Sequence, residues 1–137
     1  MAKDMFHDAV VIALQKEGWQ VTHDPFSFRV GKVDFHIDLG AEHLVGAVKG
    51  SEKIAVEIKT FLELSPTYAF HTATGQYDNY LLALEEYEPD RVLYLAIPER
   101  IYDTFFQRPF VQKVVSRKNI RLIIYQPIEE HIIKWIN

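Results

Sequence analysis

Apolar positions along the chain change period several times, and each change predicts a new element. From Asp4 to Lys16 no Gly or Pro intervenes, and Ala9 to Leu14 is nearly all apolar, which predicts a helix stopped at Gly18. A helix so apolar needs cover on more than one side, as when it leans against a sheet. Trp19 to His23 and Phe26 to Val30 read as strands around the turn Asp24-Pro25. Gly31-Lys32 leads into a strand in which Asp34, His36 and Asp38 share one face, and Phe35, Ile37 and Leu39 the other. Ile54 to Lys59 is short, β-rich and bounded by the polar turn Lys49-Gly50-Ser51-Glu52, so it predicts a strand. Ser65-Pro66 supplies an N-cap and a first-turn proline for a helix reaching about Glu86, with its stop near Glu88-Pro89. Arg91 to Ile97, ending at Pro98, is an almost continuous apolar run, the mark of a buried strand with a parallel neighbour. Ile101 to Asn119 reads as helical with an interruption at Pro109. Leu122 to Tyr125 is a second buried strand. His131 to Ile136 is either a last edge strand or a partner-binding tail. This order of elements predicts an α/β sandwich around a mixed sheet, one domain over residues 1–137.

Composition narrows the function classes. With 48% hydrophobic residues in 137, the chain can bury a full core. No apolar run approaches a membrane span and the N-terminus lacks a signal pattern, so no membrane role and a cytoplasmic location are expected. The absence of cysteine excludes disulfides, thiolate chemistry and cysteine-based zinc sites. Net charge is −4, but unevenly placed: residues 1–90 carry 7 Lys/Arg against 15 Asp/Glu, and residues 91–137 carry 8 against 4. Arg108, Lys113, Arg117, Lys118 and Arg121 crowd into one short segment, which serves equally as a solvated helix face or as a phosphate-binding strip.

The candidate chemistry lies in the central strands. Alternation places Ile54, Val56 and Ile58 on one face of their strand and Ala55, Glu57 and Lys59 on the other. If the strand carrying Asp38 lies alongside, two carboxylates and an ammonium converge. Mg²⁺ takes hard oxygen ligands and keeps several waters, so one or two carboxylates and a substrate phosphate suffice to hold it. A lysine beside it neutralises charge that builds in a transition state. The same residues also make an ordinary surface Glu-x-Lys pair. Asp34 is a rival carboxylate and Glu42 a spare; His36 beside Asp34 more simply bonds a neighbour than holds a metal. Gln76 and Tyr80, four apart in the long helix, share a face, while Gly75 inside that helix predicts a close backbone approach. His71 lies near this face. Asp8 serves either the sheet's active edge or the first helix's dipole. Phe105, Phe106 and Phe110 read as core, with a partner contact as the alternative.

The series Ile37-Asp38-Leu39 followed by Val56-Glu57-Ile58-Lys59-Thr60 resembles the core motif of the PD-(D/E)xK nuclease superfamily. Gln76-Tyr77-Asp78-Asn79-Tyr80 resembles the Gln-x-x-x-Tyr helix signature of its RecB-like members, and Asp8 falls where many place a first-helix acid. More specifically, Met1-Ala2-Lys3-Asp4, Thr22-His23-Asp24-Pro25, Val33-Asp34-Phe35, Ile37-Asp38-Leu39-Gly40-Ala41-Glu42, Phe70-His71-Thr72-Ala73 with Gly75-Gln76, and Arg91-Val92-Leu93-Tyr94-Leu95-Ala96 resemble the cyanobacterial XisH family of fdxN-element excision controlling factors. That likeness spans essentially the whole chain.

The resemblance implies a restriction-endonuclease-like fold and a role in programmed DNA excision. It implies Mg²⁺ or Mn²⁺ held by Asp38, Glu57 and the Ile58 carbonyl, Lys59 as the electrostatic or water-orienting group, and Gln76, Tyr80 and Asp8 in support. DNA, a small XisI-like partner protein and a site-specific recombinase are the implied partners, with a homodimer as a further option. It leaves a second role open: a non-catalytic accessory factor that binds DNA, the recombinase or the partner without cutting.

Overall fold

A computed structural model describes residues 2–37, 39–44, 51–62 and 65–137, with residues 2–4, 39–44 and 51 described through their backbone alone. Helix α1 (Ala2–Lys16) is followed by strands β1 (Gln20–His23), β2 (Phe26–Val30), β3 (Val33–Ile37), β4 (Leu39–Leu44) and β5 (Ser51–Ile58). Helix α2 (Pro66–Tyr87) leads to β6 (Arg91–Pro98). Then come α3 (Glu99–Asp103), a 3-10 turn (Phe105–Gln107), α4 (Pro109–Arg117), β7 (Leu122–Gln126) and β8 (His131–Ile136). Six strands form one mixed sheet in the order β1-β4-β5-β6-β7-β8. Strands β5, β6 and β7 run parallel, while β1, β4 and β8 join antiparallel. The architecture is an α/β fold with a mixed sheet flanked by helices.

Strand alternation builds the two cores. Ile54, Val56, Tyr94, Ala96, Ile123 and Tyr125 face α1 and pack with its Phe6, Ala9, Val10 and Leu14. Ala55, Leu93, Leu95, Ile97, Leu122 and Ile124 face the other way, against Phe70, Ala73, Tyr77 and Leu84 of α2 and Phe105, Phe106 and Val111 beyond. Strands β6 and β7 read as continuous apolar runs because helices cover both faces. The middle of helix α1, Ala9 to Leu14, is apolar throughout because the helix meets β8 and β1 as well as β5 and β7.

Strands β2 and β3 leave the main sheet. Among the described residues they pair only with each other, through the register Phe26↔Ile37 to Val30↔Val33. Gly31, at φ +61°, supplies the left-handed residue of their two-residue turn. The hairpin lies on α2, with Phe28 stacked on Tyr87 and Phe35 edge-on to Tyr80.

Helix α2 begins as expected, with Ser65 capping through its hydroxyl to the Tyr68 amide at 3.2 Å and Pro66 in the first turn. Three local readings change. Ser51 and Glu52 belong to β5 rather than to a turn, and the helical stretch before β7, which does break at Pro109, starts at Glu99 and has a second break ahead of the 3-10 turn. Among the described residues Gly75 makes no close backbone approach: a Cβ built there meets nothing of them within 4 Å. Among the described residues no helix is long and apolar enough to cross a membrane.

Candidate functional site

Among the described residues, β5 carries the one carboxylate that the two-core pattern does not explain. Ala55 sits in the α2-side core with no exposure, and Glu57, two residues on, follows it onto that face with 7%. A carboxylate there is taken largely out of water, which is costly unless charge and hydrogen bonds compensate. Lys59 is one compensating group: its ammonium lies 3.9 Å from Glu57 Oε1, with a quarter of its side chain exposed. The lysine holds this place because its amide continues the ladder beyond the strand's last residue, donating to the Ala96 carbonyl at 3.1 Å. The alternation expected for Glu57 and Lys59 therefore holds, as does the opposite facing of Ile58, whose side chain packs on the α1 side. Glu57, Ile58 and Lys59 stand at the carboxyl end of the parallel strands, where open α/β sheets place their ligands.

Helix α2 brings the amide and phenol to the same side of the sheet. Gln76 is half-buried; its Oε1 is wholly enclosed and has no hydrogen-bond partner among the described residues. Tyr80 is also half-buried and donates to the His36 carbonyl at 3.1 Å, tying α2 to the end of β3. Tyr77, between them, holds the helix down through its own hydroxyl, to the Leu93 carbonyl at 3.2 Å and from the Arg121 amide at 3.1 Å. His71 and Thr72 are exposed.

Asp8 does not join this face. Helix α1 packs on the opposite side of the sheet, and the Asp8 carboxylate is 69% exposed, bonded to His7 at 3.3 Å. His7 bonds Asp24 in the β1–β2 turn at 2.8 Å, so one imidazole bridges two carboxylates. This cluster escaped the sequence reading because its members are seventeen residues apart. It does stand at the same end of the sheet, since His23 pairs with Gly40 and Leu39 with Val56. Burial alone would lower the His7 pKa, but the imidazole's hydrogen bonds to Asp24 and Asp8, and the charges of those carboxylates, outweigh it and raise the pKa.

The rival acid Asp34 lies elsewhere. It is 61% exposed on the β2–β3 hairpin, paired with Arg29 across the register at 2.9 Å, while His36 bonds Ser27 at 2.9 Å. Both point outward because Phe35 and Ile37 take the inner face. Glu42 pairs with Lys53 in the β4–β5 register. Asp38, the expected second carboxylate, lies outside the described residues. Among the described residues, no three His, Asp or Glu side chains are grouped so as to hold a metal ion. A cavity of about 500 Å³ opens at the same carboxyl end, on the side of Met5 and Phe6, with Thr60, Leu62, Pro98 and Ile128 in its wall.

The mixed sheet, with a largely buried Glu-x-Lys pair ending its first parallel strand and a Gln-x-x-x-Tyr helix beside it, defines the class of α/β protein. Comparison with known proteins makes it particular. The family model described as XisH protein matches residues 1–133, and the chain belongs to the XisH family. The crystal structure of an XisH family protein from Nostoc punctiforme PCC 73102 is similar at 45% identity and a TM-score of 0.90, over 98% of this chain and 100% of that one. A fdxN element excision controlling factor protein from Anabaena variabilis is similar at 44% identity and a TM-score of 0.89, over 98% and 99%. No curated protein matches.

Proposed function

We propose that this chain controls the excision of a DNA element, as the name of its Anabaena relative says of that protein, and that it does so through a metal-dependent phosphodiester-cleaving site built on Glu57 and Lys59. The observation that carries this reading is the Glu57–Lys59 pair, 3.9 Å apart, with its carboxylate largely buried beside the core residues Ala55, Leu95 and Ile97. A structural ion pair has no need of that place, and a buried pair is weak evidence of stabilisation. The donor set fits Mg²⁺ or Mn²⁺: the Glu57 carboxylate, the Ile58 carbonyl, the enclosed Gln76 Oε1 and, by resemblance, Asp38 are all hard oxygens. When bound, such an ion lowers the pKa of its water and polarises a phosphoryl oxygen. Lys59 places a positive charge beside the position of the scissile phosphate and stabilises the charge that develops there. The Gln76 amide orients water or a phosphate oxygen. Tyr80, through its bond to His36, keeps α2 and β3 at fixed spacing.

DNA, a XisI-like protein and a recombinase are the proposed partners. A second reading, a non-cutting accessory factor, is favoured by the excess of acid in residues 1–90, which repels a phosphate backbone around the site. The deciding experiment incubates single-stranded, duplex and branched DNA with Mg²⁺ or Mn²⁺ and the wild type, Asp38→Ala, Glu57→Ala or Lys59→Ala, with and without the partner protein. Cutting by the wild type alone supports the nuclease. Folded proteins that neither cut nor bind metal by calorimetry leave the accessory role.

A further inference from the structure

Helix α4 carries a surface that the Glu57 site does not use. Residues 108–121 hold five Lys/Arg and no Asp/Glu. The fold engages three of the five cations. The Arg108 guanidinium lies 4.9 Å over the Phe105 ring, and Lys118 bonds Asp78 at 2.8 Å. Arg121 sits half-buried at the start of β7. Lys113 and Arg117 remain exposed, and neither makes an ion pair among the described residues. They follow Phe110 at helical spacings of three and seven, so all three lie along one outward stripe. Beside this stripe the helix turns to the core: Val111 is buried and Val114 and Val115 pack on it. Phe105 and Phe106 are core as expected, but Phe110 is 64% exposed.

Arg117 in the last turn also complements the helix dipole, and a lone exposed phenylalanine would mean little. An aromatic ring aligned with two uncommitted cations is a more specific arrangement. Cations at this spacing meet successive phosphates, and a flat apolar ring accepts an unpaired base on its face. A double-stranded helix keeps its bases stacked inside and gives such a ring nothing to hold. The geometry points to α4 as a docking surface for single-stranded DNA, with Lys113 and Arg117 on the backbone and a base stacked on Phe110. The basic charge of this stripe complements that occupant, whereas residues 1–90 repel it. The inference shares with the proposed function only its choice of DNA.

The test measures fluorescence anisotropy of a labelled single strand and of its duplex with the full chain in EDTA. Without metal, cleavage plays no part, so a failed cleavage assay leaves this result standing and the converse also holds. The wild type is expected to bind the single strand with strong salt dependence. Lys113→Glu with Arg117→Glu should lower the log–log salt slope for the single strand by about 1.4, the value for two phosphate contacts. Phe110→Ala should weaken the single strand roughly 5- to 150-fold and leave duplex binding unchanged. These side chains are exposed, and circular dichroism melts will show the variants folded. Wild-type affinity in the charge-reversed protein, or an unchanged single-strand affinity in Phe110→Ala, overturns the assignment. Failure of the wild type to bind DNA at low salt also overturns it and gives the stripe to an acidic protein partner.

Discussion

Tyr77→Phe removes one oxygen from the place where the parallel sheet opens. Arg121 O accepts from the Leu95 amide at 2.9 Å, so Leu95 and its odd-numbered neighbours in β6 direct their polar groups toward β7. The next rung would join the Arg121 amide to the Leu93 carbonyl directly, but β7 pairs with β6 only from Leu122, opposite Leu95. The Tyr77 hydroxyl fills that rung, receiving from Arg121 at 3.1 Å and donating to Leu93 at 3.2 Å. The side chain is 1% exposed, and burial raises its pKa, so the neutral hydroxyl is the form that serves. Phenylalanine would keep the packing and lose both bonds. Each bond is worth about 1 kcal/mol net, and an orphaned buried group costs about 1–3 kcal/mol more, part of which water recovers at half-buried Arg121. The expected loss is about 2–3 kcal/mol, read as a lower urea midpoint at unchanged slope and a melting temperature reduced by roughly 6–9 °C. Hydrogen exchange at the Arg121 amide should accelerate. A loss below about 0.5 kcal/mol, with that amide still protected, would mean that β7 closes the rung unaided and that Tyr77 does not hold α2.

Gly75→Ala should stabilise the protein by about 1 kcal/mol, since the position is helical and open to solvent; denaturant unfolding checks it. Tyr125→Phe should add about 1 kcal/mol, because the Tyr125 hydroxyl is wholly buried with no hydrogen-bond partner among the described residues. The same burial pushes its pKa far above the ordinary tyrosine range. His7 predicts a pH dependence. Its folded pKa lies above the ordinary 6.5, so its contribution is complete below that pH and is lost as pH rises through the folded value. Stability curves of the wild type and His7→Asn, measured from mildly acidic to mildly alkaline pH, should therefore converge as pH rises; parallel curves would refute the bridge to Asp24 and Asp8.

The local signals were readable because their physics is local. Ser65-Pro66 starts α2 wherever that helix lies, and a period of two sorts Ala55, Glu57 and Lys59 from Ile54, Val56 and Ile58 before any neighbour is known. The apolar runs of β6 and β7 announced cover on both faces. Sequence could not assign partners to those faces. That β2 and β3 leave the sheet, carrying Asp34 out to Arg29, depends on hairpin closure against α2. That Asp8 belongs to a His7–Asp24 cluster across the sheet from Glu57 depends on which face α1 covers. Phe110 and Phe106 are alike in sequence, yet one is exposed and the other wholly buried, because the break at Pro109 sets the rotation of α4. Periodicity determines which residues share a face; only the long-range packing, where chain entropy is spent to bring distant segments together, decides what that face meets.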